Sequence, residues 1–156
     1  MLKAFEKYYL FFACIVLCIP VAMQAQTNTI ANNGTQVTAG NVILGTTSHV
    51  IYKFSVAVTG SNSTMTGFQC FPNGNCVIAT DITNCKLWYS TDNTFGGDVV
   101  LSTFVTAGNF YGGLKNFPAF SQLITNGSTG YFFVTIDVPV GGTSGRTVYL
   151  SALLGG

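Results

Sequence analysis

The stretch "VIYKFSVAVTG", residues 50–60, decides the fold class. Large apolar side chains occupy every second position of it, and most of the intervening positions are small or polar. Because the side chains of an extended strand alternate between two faces, this pattern predicts a β-strand with one face in a hydrophobic core. The residues on the predicted inner face are Tyr52, Phe54, Val56 and Val58.

Other stretches of the chain show related patterns. In "CKLWYS", residues 85–90, every second side chain faces the predicted core, and Lys86 and Trp88 face the other way. The run "GYFFVTIDV", residues 130–138, is apolar on both faces for most of its length and also predicts a strand. The residues expected to be largely buried are Tyr52, Phe54, Phe68, Leu87, Tyr89, Phe132 and Val134.

Turn sequences rich in glycine and asparagine separate the predicted strands, among them "GSNS", "PNGN" and "TNGSTG". Weaker strands fit residues 35–43, 99–105 and 120–125. Short alternating strands with such turns are typical of two packed antiparallel sheets. We therefore predict an all-β fold, an antiparallel Ig-like or jelly-roll-type β-sandwich of about seven to nine strands. It occupies residues 35–156 as a single module.

The N-terminus has the layout of a secretory signal peptide. Lysines at positions 3 and 7 precede an apolar run, residues 8–23, which Pro20 interrupts before the small residue Ala25. This run is about 16 residues long, and a membrane-spanning helix needs roughly 20. We predict a signal peptide over residues 1–25 and a flexible leader over residues 26–34. The chain is then secreted or held on the outer cell surface, with no stable membrane span after cleavage.

Removal of the signal peptide leaves a chain with few charges. Four basic and four acidic side chains remain, so the net charge is near zero, and no glutamate is left. Such a chain has no electrostatic footprint for nucleic acid or for an anionic membrane. The charged residues are Lys53, Lys86, Lys115, Arg146, Asp81, Asp92, Asp98 and Asp137.

Three motifs lie in order along the chain: "NVILG" at 41–45, "TDITNCKLWYSTDNTFGG" at 80–97 and "LITNGSTGYFFVTIDVPVGGTSGRTV" at 123–148. Together they resemble the neuraminidase N-terminal domain, a β-sandwich module of secreted and surface proteins of Bacteroidetes. The resemblance covers residues 35–154. Phe133 stands where that module prefers tryptophan, and the usual alanine is missing from "PVGGTSG".

The resemblance implies that the middle motif is scaffold. In such modules its tyrosine lies on a core strand, and the following phenylalanine, here Phe95, plugs the sandwich from the loop side. The two acidic residues beside the strands fit structural roles. Asp81 is expected to cap a turn, and Asp137 is expected to accept backbone N–H groups from the "PVGG" turn.

Three cysteines remain after export, and exported chains usually oxidise their thiols in pairs. Cys70 and Cys76 flank the short loop "FPNGN", whereas Cys70 and Cys85 share the inward face of their strands. The sequence thus predicts one disulfide that joins Cys70 to either Cys85 or Cys76, or else thiols packed as small apolar groups. With one histidine in the chain, no metal site is expected among them.

The sequence predicts no catalytic residues, no enzyme activity and no cofactor. A sialidase needs an arginine cluster, a tyrosine nucleophile and an acid, and Arg146 is the only arginine. A serine triad needs histidine beside a nucleophile and an acid, and His49 is alone in a loop that enters a strand. Asp92 and Asp98 share one glycine-rich loop, which is poor placement for a glycosidase pair.

Two weak sets of binding candidates remain. The loop "DNTFGGD" contains carboxylate and amide oxygens suited to calcium, and its ligands would be Asp92 and Asp98, although its spacing matches no EF-hand. Sugar binding would use outward aromatic rings that stack on the ligand, and these are Trp88, Phe110 and Tyr111.

We therefore expect a non-catalytic secreted or cell-surface module that serves adhesion, assembly or spacing, either free-standing or as a fragment of a larger surface protein. Its expected partners are neighbouring domains or further copies of itself. The alternative is a carbohydrate-binding accessory module of a secreted glycoside hydrolase or sialidase, with glycans as partners.

Overall fold

The computed structural model describes residues 25–104, 108–109 and 112–151. Within these residues every regular element is a β-strand and every pairing between strands is antiparallel, which confirms the predicted all-β class. No helix in the described part of the chain is long and apolar enough to cross a membrane. The predicted signal peptide lies outside the described residues, apart from Ala25.

The strands vary widely in length. The described residues form thirteen of them, and the longest belong to one sheet. In chain order they are β1 (Thr27–Asn32), β2 (His49–Thr59), β3 (Ser63–Met65), β4 (Gln69–Cys70), β5 (Pro72–Gly74), β6 (Val77–Ile78), β7 (Asn84–Ser90), β8 (Val99–Phe104), β9 (Gly108–Asn109), β10 (Lys115–Asn116), β11 (Gln122–Ile124), β12 (Thr129–Asp137) and β13 (Val148–Leu150).

A five-stranded sheet in the order β1-β2-β12-β7-β8 is the frame of the molecule. Its middle strand, β12, pairs with β2 on one side and β7 on the other, and Phe132 lies between Phe54 and Tyr89. The Phe54 and Phe132 rings are stacked, with centroids 4.9 Å apart. Phe132 and Phe133 point to opposite faces, and both are buried. This explains why the β12 sequence is apolar at both parities.

Short strand pairs cover the inner face of this sheet. They are β10-β4, β11-β3, β13-β5 and β6-β9. The Phe68 ring, just before β4, stacks on Phe54 of the large sheet with centroids 5.1 Å apart, and Phe117 lies 5.3 Å from Phe68. Residues of the short pairs and of the large sheet form one buried apolar cluster. This arrangement is consistent with a β-sandwich.

The predicted core is confirmed at six of its seven positions, and Tyr89 is only partly buried. The predicted strand at residues 35–43 does not form. The physical reason lies at Lys53 on β2. The Gln36 side-chain NH₂ group donates a hydrogen bond to the Lys53 carbonyl at 2.7 Å, and the Gln36 side-chain oxygen accepts one from the Lys53 amide at 3.2 Å. A side chain thus fills the place that a further strand would take. By contrast, Thr27–Asn32, predicted to be part of a flexible leader, form strand β1.

Phe95 packs on the opposite face from the one that the resemblance implies. Its ring lies 5.3 Å from Trp88 in an edge-on contact and 5.5 Å from Phe133. Both of these residues are on the outer face of the large sheet, since their strand neighbours Leu87 and Phe132 are in the core cluster. Phe95 therefore covers the outside of the sheet and does not plug the space between the two layers.

Candidate functional site

The outermost strand of the large sheet, β1, is its most open feature. It pairs along one side with β2, and Thr27 lies opposite Thr59 at one end and Asn32 opposite Phe54 at the other. All six of its residues are exposed. Among the described residues no strand pairs with its second side. A sheet edge of this kind presents unpaired backbone donors and acceptors to a partner.

The hydrogen-bonding pattern between β1 and β2 determines which backbone N–H and C=O groups of β1 have no partner in β2. The amide of Asn33, directly after β1, donates to the Lys53 carbonyl at 3.4 Å. The amide of Val58 points the other way and donates to Ser128, just before β12, at 3.1 Å. Because backbone groups of a strand alternate between its two sides, odd-numbered residues of β1 bond β2 and even-numbered residues face outward. The outward residues are Asn28, Ile30 and Asn32.

The β1 edge has no charged side chain of its own. Between Ala25 and Tyr52 the chain contains no Asp, Glu, Lys or Arg, so β1 itself contains no charged side chain. Ile30 is 58% exposed and lies directly opposite Val56, whose side chain points into the core. Ile30 is therefore an exposed apolar side chain on the inner face of the sheet, at its margin. Edge strands of monomeric proteins usually have charges or proline at such places.

The aromatic residues predicted to bind sugars are only partly within the described structure. Trp88 is half-buried: its Nε1–H donates to the Thr135 hydroxyl at 2.8 Å, and its ring contacts Phe95. It belongs to an outer aromatic cluster of Trp88, Phe95 and Phe133 and is not an isolated exposed ring. Phe110 and Tyr111 lie outside the described residues.

Asp137 joins three segments of the chain at the end of β12. Its carboxylate accepts hydrogen bonds from the Ser48 amide at 2.8 Å, from Asn84 Nδ2 at 2.7 Å and from Lys86 Nζ at 2.7 Å. Burial alone would raise the pKa of Asp137, but these hydrogen bonds and the charge of Lys86 hold the pKa below its ordinary value. The expected donor, the "PVGG" turn, is not among these partners.

Asp81 instead binds the residues that follow this turn. One carboxylate oxygen accepts the Thr143 amide at 2.9 Å, and the other accepts the Val77 amide at 3.0 Å and lies 3.3 Å from Arg146 Nε. Burial would raise the pKa of Asp81, yet the hydrogen bonds and the Arg146 charge hold it below its ordinary value. Asp81 thus ties the loop after β6 to the loop before β13.

A cavity of about 900 Å³ lies between residues 37–44 and 142–149. Its lining includes His49 and the Asp81–Arg146 pair, with the exposed Tyr149 among the wall residues. The side chain of Asp81 is buried and that of Arg146 is partly exposed. The lone histidine and the lone arginine of the chain, which are far apart in sequence, therefore line one concave site.

The predicted calcium ligands bond to their own loop. Asp92 Oδ1 accepts the Thr94 amide at 2.7 Å, and Asp98 Oδ2 accepts the Gly96 amide at 3.1 Å. Each carboxylate thereby closes a local turn. In the described residues no group of three or more His, Cys, Asp or Glu side chains is placed to hold a metal ion.

Cys70, Cys76 and Cys85, the cysteines within the described residues, are buried free thiols. Burial raises the pKa of Cys70 to about 12, and it raises the pKa of Cys76 to about 11 with a further contribution from the Asp81 charge. The pKa of Cys85 is raised well above its ordinary value by burial and by the nearness of Cys70. Cys70 and Cys85 are both buried in the core cluster, as their shared inward parity predicts.

Comparison of the chain with protein-family models, with curated proteins and with solved structures found no match.

Sequence reasoning missed both the β1 edge and the shared cavity. The "TNTIAN" sequence of β1 has no strong apolar alternation, because neither of its faces is buried. The usable signal was the long uncharged stretch with β-favouring threonine and isoleucine. The cavity had no sequence signal, since its lining comes from segments that are far apart along the chain.

Proposed function

We propose that this chain is a non-catalytic β module, secreted or held on the outer cell surface, that serves adhesion, assembly or spacing. The observation that carries the proposal is the β1 edge: six exposed residues with no charge and an unpaired second side within the described structure. Backbone edges of this kind join proteins by β-strand addition. A buried and well-bonded frame behind the edge supports the same role, because a docking strand needs a rigid neighbour.

The frame is supported on both of its faces. Phe54, Phe68 and Phe132 stack in the core, and the outer aromatic cluster covers the other side of the central strands. The two buried acidic groups serve as anchors between segments, and every carboxylate oxygen of Asp81 and Asp137 has a donor. We accordingly assign these acids to stability and not to chemistry.

We further propose an Ig-like or jelly-roll-type sandwich related to the Bacteroidetes neuraminidase N-terminal domain. The supporting features are the "TDITNCKLWYSTDNTFGG" and "YFFVTIDV" motifs, whose residues form the adjacent central strands β7 and β12. In this view the export segment, residues 1–25, delivers the module to the outside of the cell. N-terminal sequencing of secreted material should then begin at Gln26, and a mature protein that begins at Met1 would exclude export by cleavage.

A second candidate function is carbohydrate binding, and the cavity is the observation that favours it. Tyr149 is 57% exposed and could stack on a sugar ring, while His49 and Arg146 supply polar contacts within the same concavity. A glycan array probed with the purified protein tests this candidate. Binding that Tyr149→Ala abolishes would favour it, and an array without any bound glycan would remove it.

The assembly function is tested on intact cells that naturally produce the protein, by adding a crosslinker that does not cross membranes. The expected result is covalent complexes of the chain, because an assembled surface module lies within reach of its partners. A protein that is protected from the reagent inside the cell, or one that stays uncrosslinked at the surface, would overturn the proposal.

A further inference from the structure

We propose that the partner of the β1 edge is a second copy of the same chain, paired antiparallel across a two-fold axis at Ile30. This inference rests on the proposed assembly function and names its partner and register. The two five-stranded sheets would then continue into each other through their β1 strands.

The phase of β1 makes the edge complementary to itself. The Asn33 amide bonds Lys53 of β2, and backbone groups alternate between the two sides of a strand. The backbone groups of Asn28, Ile30 and Asn32 therefore point away from β2. In an antiparallel pairing centred on Ile30, Asn28 of each copy lies opposite Asn32 of the other, and the two Ile30 residues exchange their own N–H and C=O groups. Up to about six backbone hydrogen bonds result. The Asn32 carbonyl already accepts the Gly34 amide at 3.0 Å, and its second lone pair remains for the partner.

Side chains favour the same register. The Ile30 side chain is 58% exposed on the inner face of the sheet, and the two-fold axis places it against its own copy. On that face Asn32 Oδ1 already accepts the Tyr52 hydroxyl at 2.8 Å, so the Asn32 amide nitrogen is the group that can donate to the Asn28 side chain of the other copy. Any charge on a self-paired strand would meet a like charge near the axis, and β1 contains none.

The opposite end of the sheet is less suited to such pairing. Ser102 on β8 donates its hydroxyl to the Pro118 carbonyl at 2.8 Å, so the segment after β10 lies beside that strand. Asp98 stands directly before β8, and it would bring a charge to any symmetric pairing there. The β1 edge is therefore the better surface for a second copy.

The test is sedimentation velocity over a concentration series with the purified secreted protein, whose N-terminus is determined first. A single strand edge is a small interface, so a weak dimer is expected and the highest concentrations are the informative ones. Ile30→Lys should weaken the dimer at least about tenfold, because it sets two like charges against each other at the axis. Leu123→Lys is the matched control, since Leu123 is an exposed leucine of similar exposure on another strand pair, and it should leave the dimer unchanged.

Charge exchange makes the register itself testable. Ile30→Glu should be as monomeric as Ile30→Lys, and an equal mixture of the two should restore the complex as a heterodimer. Ile30→Pro is the independent variant: it removes an outward N–H while every bond from β1 to β2 stays in place. Circular dichroism and the unfolding midpoint check that each variant is folded.

The outcomes are distinct. A wild-type chain that stays monomeric at the highest concentration overturns the pairing. A wild-type dimer that Ile30→Lys and Ile30→Pro leave intact also overturns it, and assembly then runs through another surface, so the proposed function itself survives. Loss of the dimer in each single variant with recovery in the mixture supports the two-fold pairing at Ile30.

Discussion

The ammonium group of Lys86 lies 2.7 Å from Oδ2 of Asp137. The two residues belong to neighbouring strands, β7 and β12, and both side chains stand on the outer face of the sheet near one end. Asn84 donates to the same oxygen, and the Ser48 amide donates to the other one. A single carboxylate thus joins the two central strands to the segment that enters β2.

This junction predicts a pH-dependent contribution to stability. Asp137→Asn should lower the free energy of unfolding at pH 7 by about 2 kcal/mol, because charge-assisted hydrogen bonds are lost. The pKa of Asp137 in the folded protein is below its ordinary value of 3.8. The contribution is therefore fully present above that value and disappears as the pH falls through the lower, folded-state pKa. Urea unfolding of both proteins between pH 7 and pH 2 measures the difference.

The control for this experiment is Asp92→Asn, which changes an exposed loop carboxylate that bonds its own turn. We expect it to alter stability by less than about 0.5 kcal/mol at every pH. A stability gap between wild type and Asp137→Asn that stays constant down to pH 2 would contradict the role assigned to the carboxylate.

The core prediction concerns Leu87, which is completely buried in the middle of β7. Leu87→Ala should destabilise the fold by about 2–4 kcal/mol, because it removes buried methyl groups and leaves a cavity. Leu123→Ala is the comparison, since Leu123 is exposed and should tolerate the change. Equilibrium unfolding in urea gives both values, and a neutral Leu87→Ala would be inconsistent with this core.

Gly74 is a position where a side chain has no room. Its φ is +113°, and a Cβ there would collide with the backbone carbonyl of Thr147, the residue directly before β13. Gly74→Ala should therefore destabilise by at least about 1 kcal/mol and loosen β13. Gly67→Ala is the matched variant, because its Cβ would meet open space. Equal unfolding midpoints for the two variants would argue against the close approach at Gly74.

The buried thiols predict slow chemistry in the folded protein. Because the pKa of Cys70 is about 12 and that of Cys76 about 11, almost no thiolate exists at pH 8, and alkylation proceeds through the thiolate. Iodoacetamide at pH 8 should leave both residues unmodified in the native protein and label them rapidly in urea. Mass spectrometry of peptides counts the labels.

The same labels decide the cysteine pairing that the sequence left open. Without reductant, the unfolded protein should label Cys70, Cys76 and Cys85, as the free thiols of the structure require. A disulfide of Cys70 with Cys76 or Cys85 would instead leave one of the three labelled. Fast labelling of the native protein would contradict the burial of these side chains.

The alternation of apolar residues in β2 and β7 predicted most of the buried side chains of these strands, and Tyr89 is the exception because it is only partly buried. Side chains of an extended backbone alternate by geometry alone, so Phe54 and Leu87 are assigned to the inner face before any partner strand is known. The same holds for Lys86 and Trp88 on the outer face. The all-β class and the inward position of the cysteines follow from this local property.

Contacts between distant segments required the tertiary structure. The Gln36 side chain bonds the backbone of Lys53 at the edge of β2, so residues 35–43 form no strand there. Strand β1, whose sequence has no strong apolar alternation, pairs with β2 instead. Phe95 lies on the outer face because its loop folds back over Trp88. Asp81, and not Asp137, accepts a backbone N–H next to the last turn, from Thr143. In each case the deciding contact depends on the path of the chain between elements, and a local sequence pattern contains no record of that path.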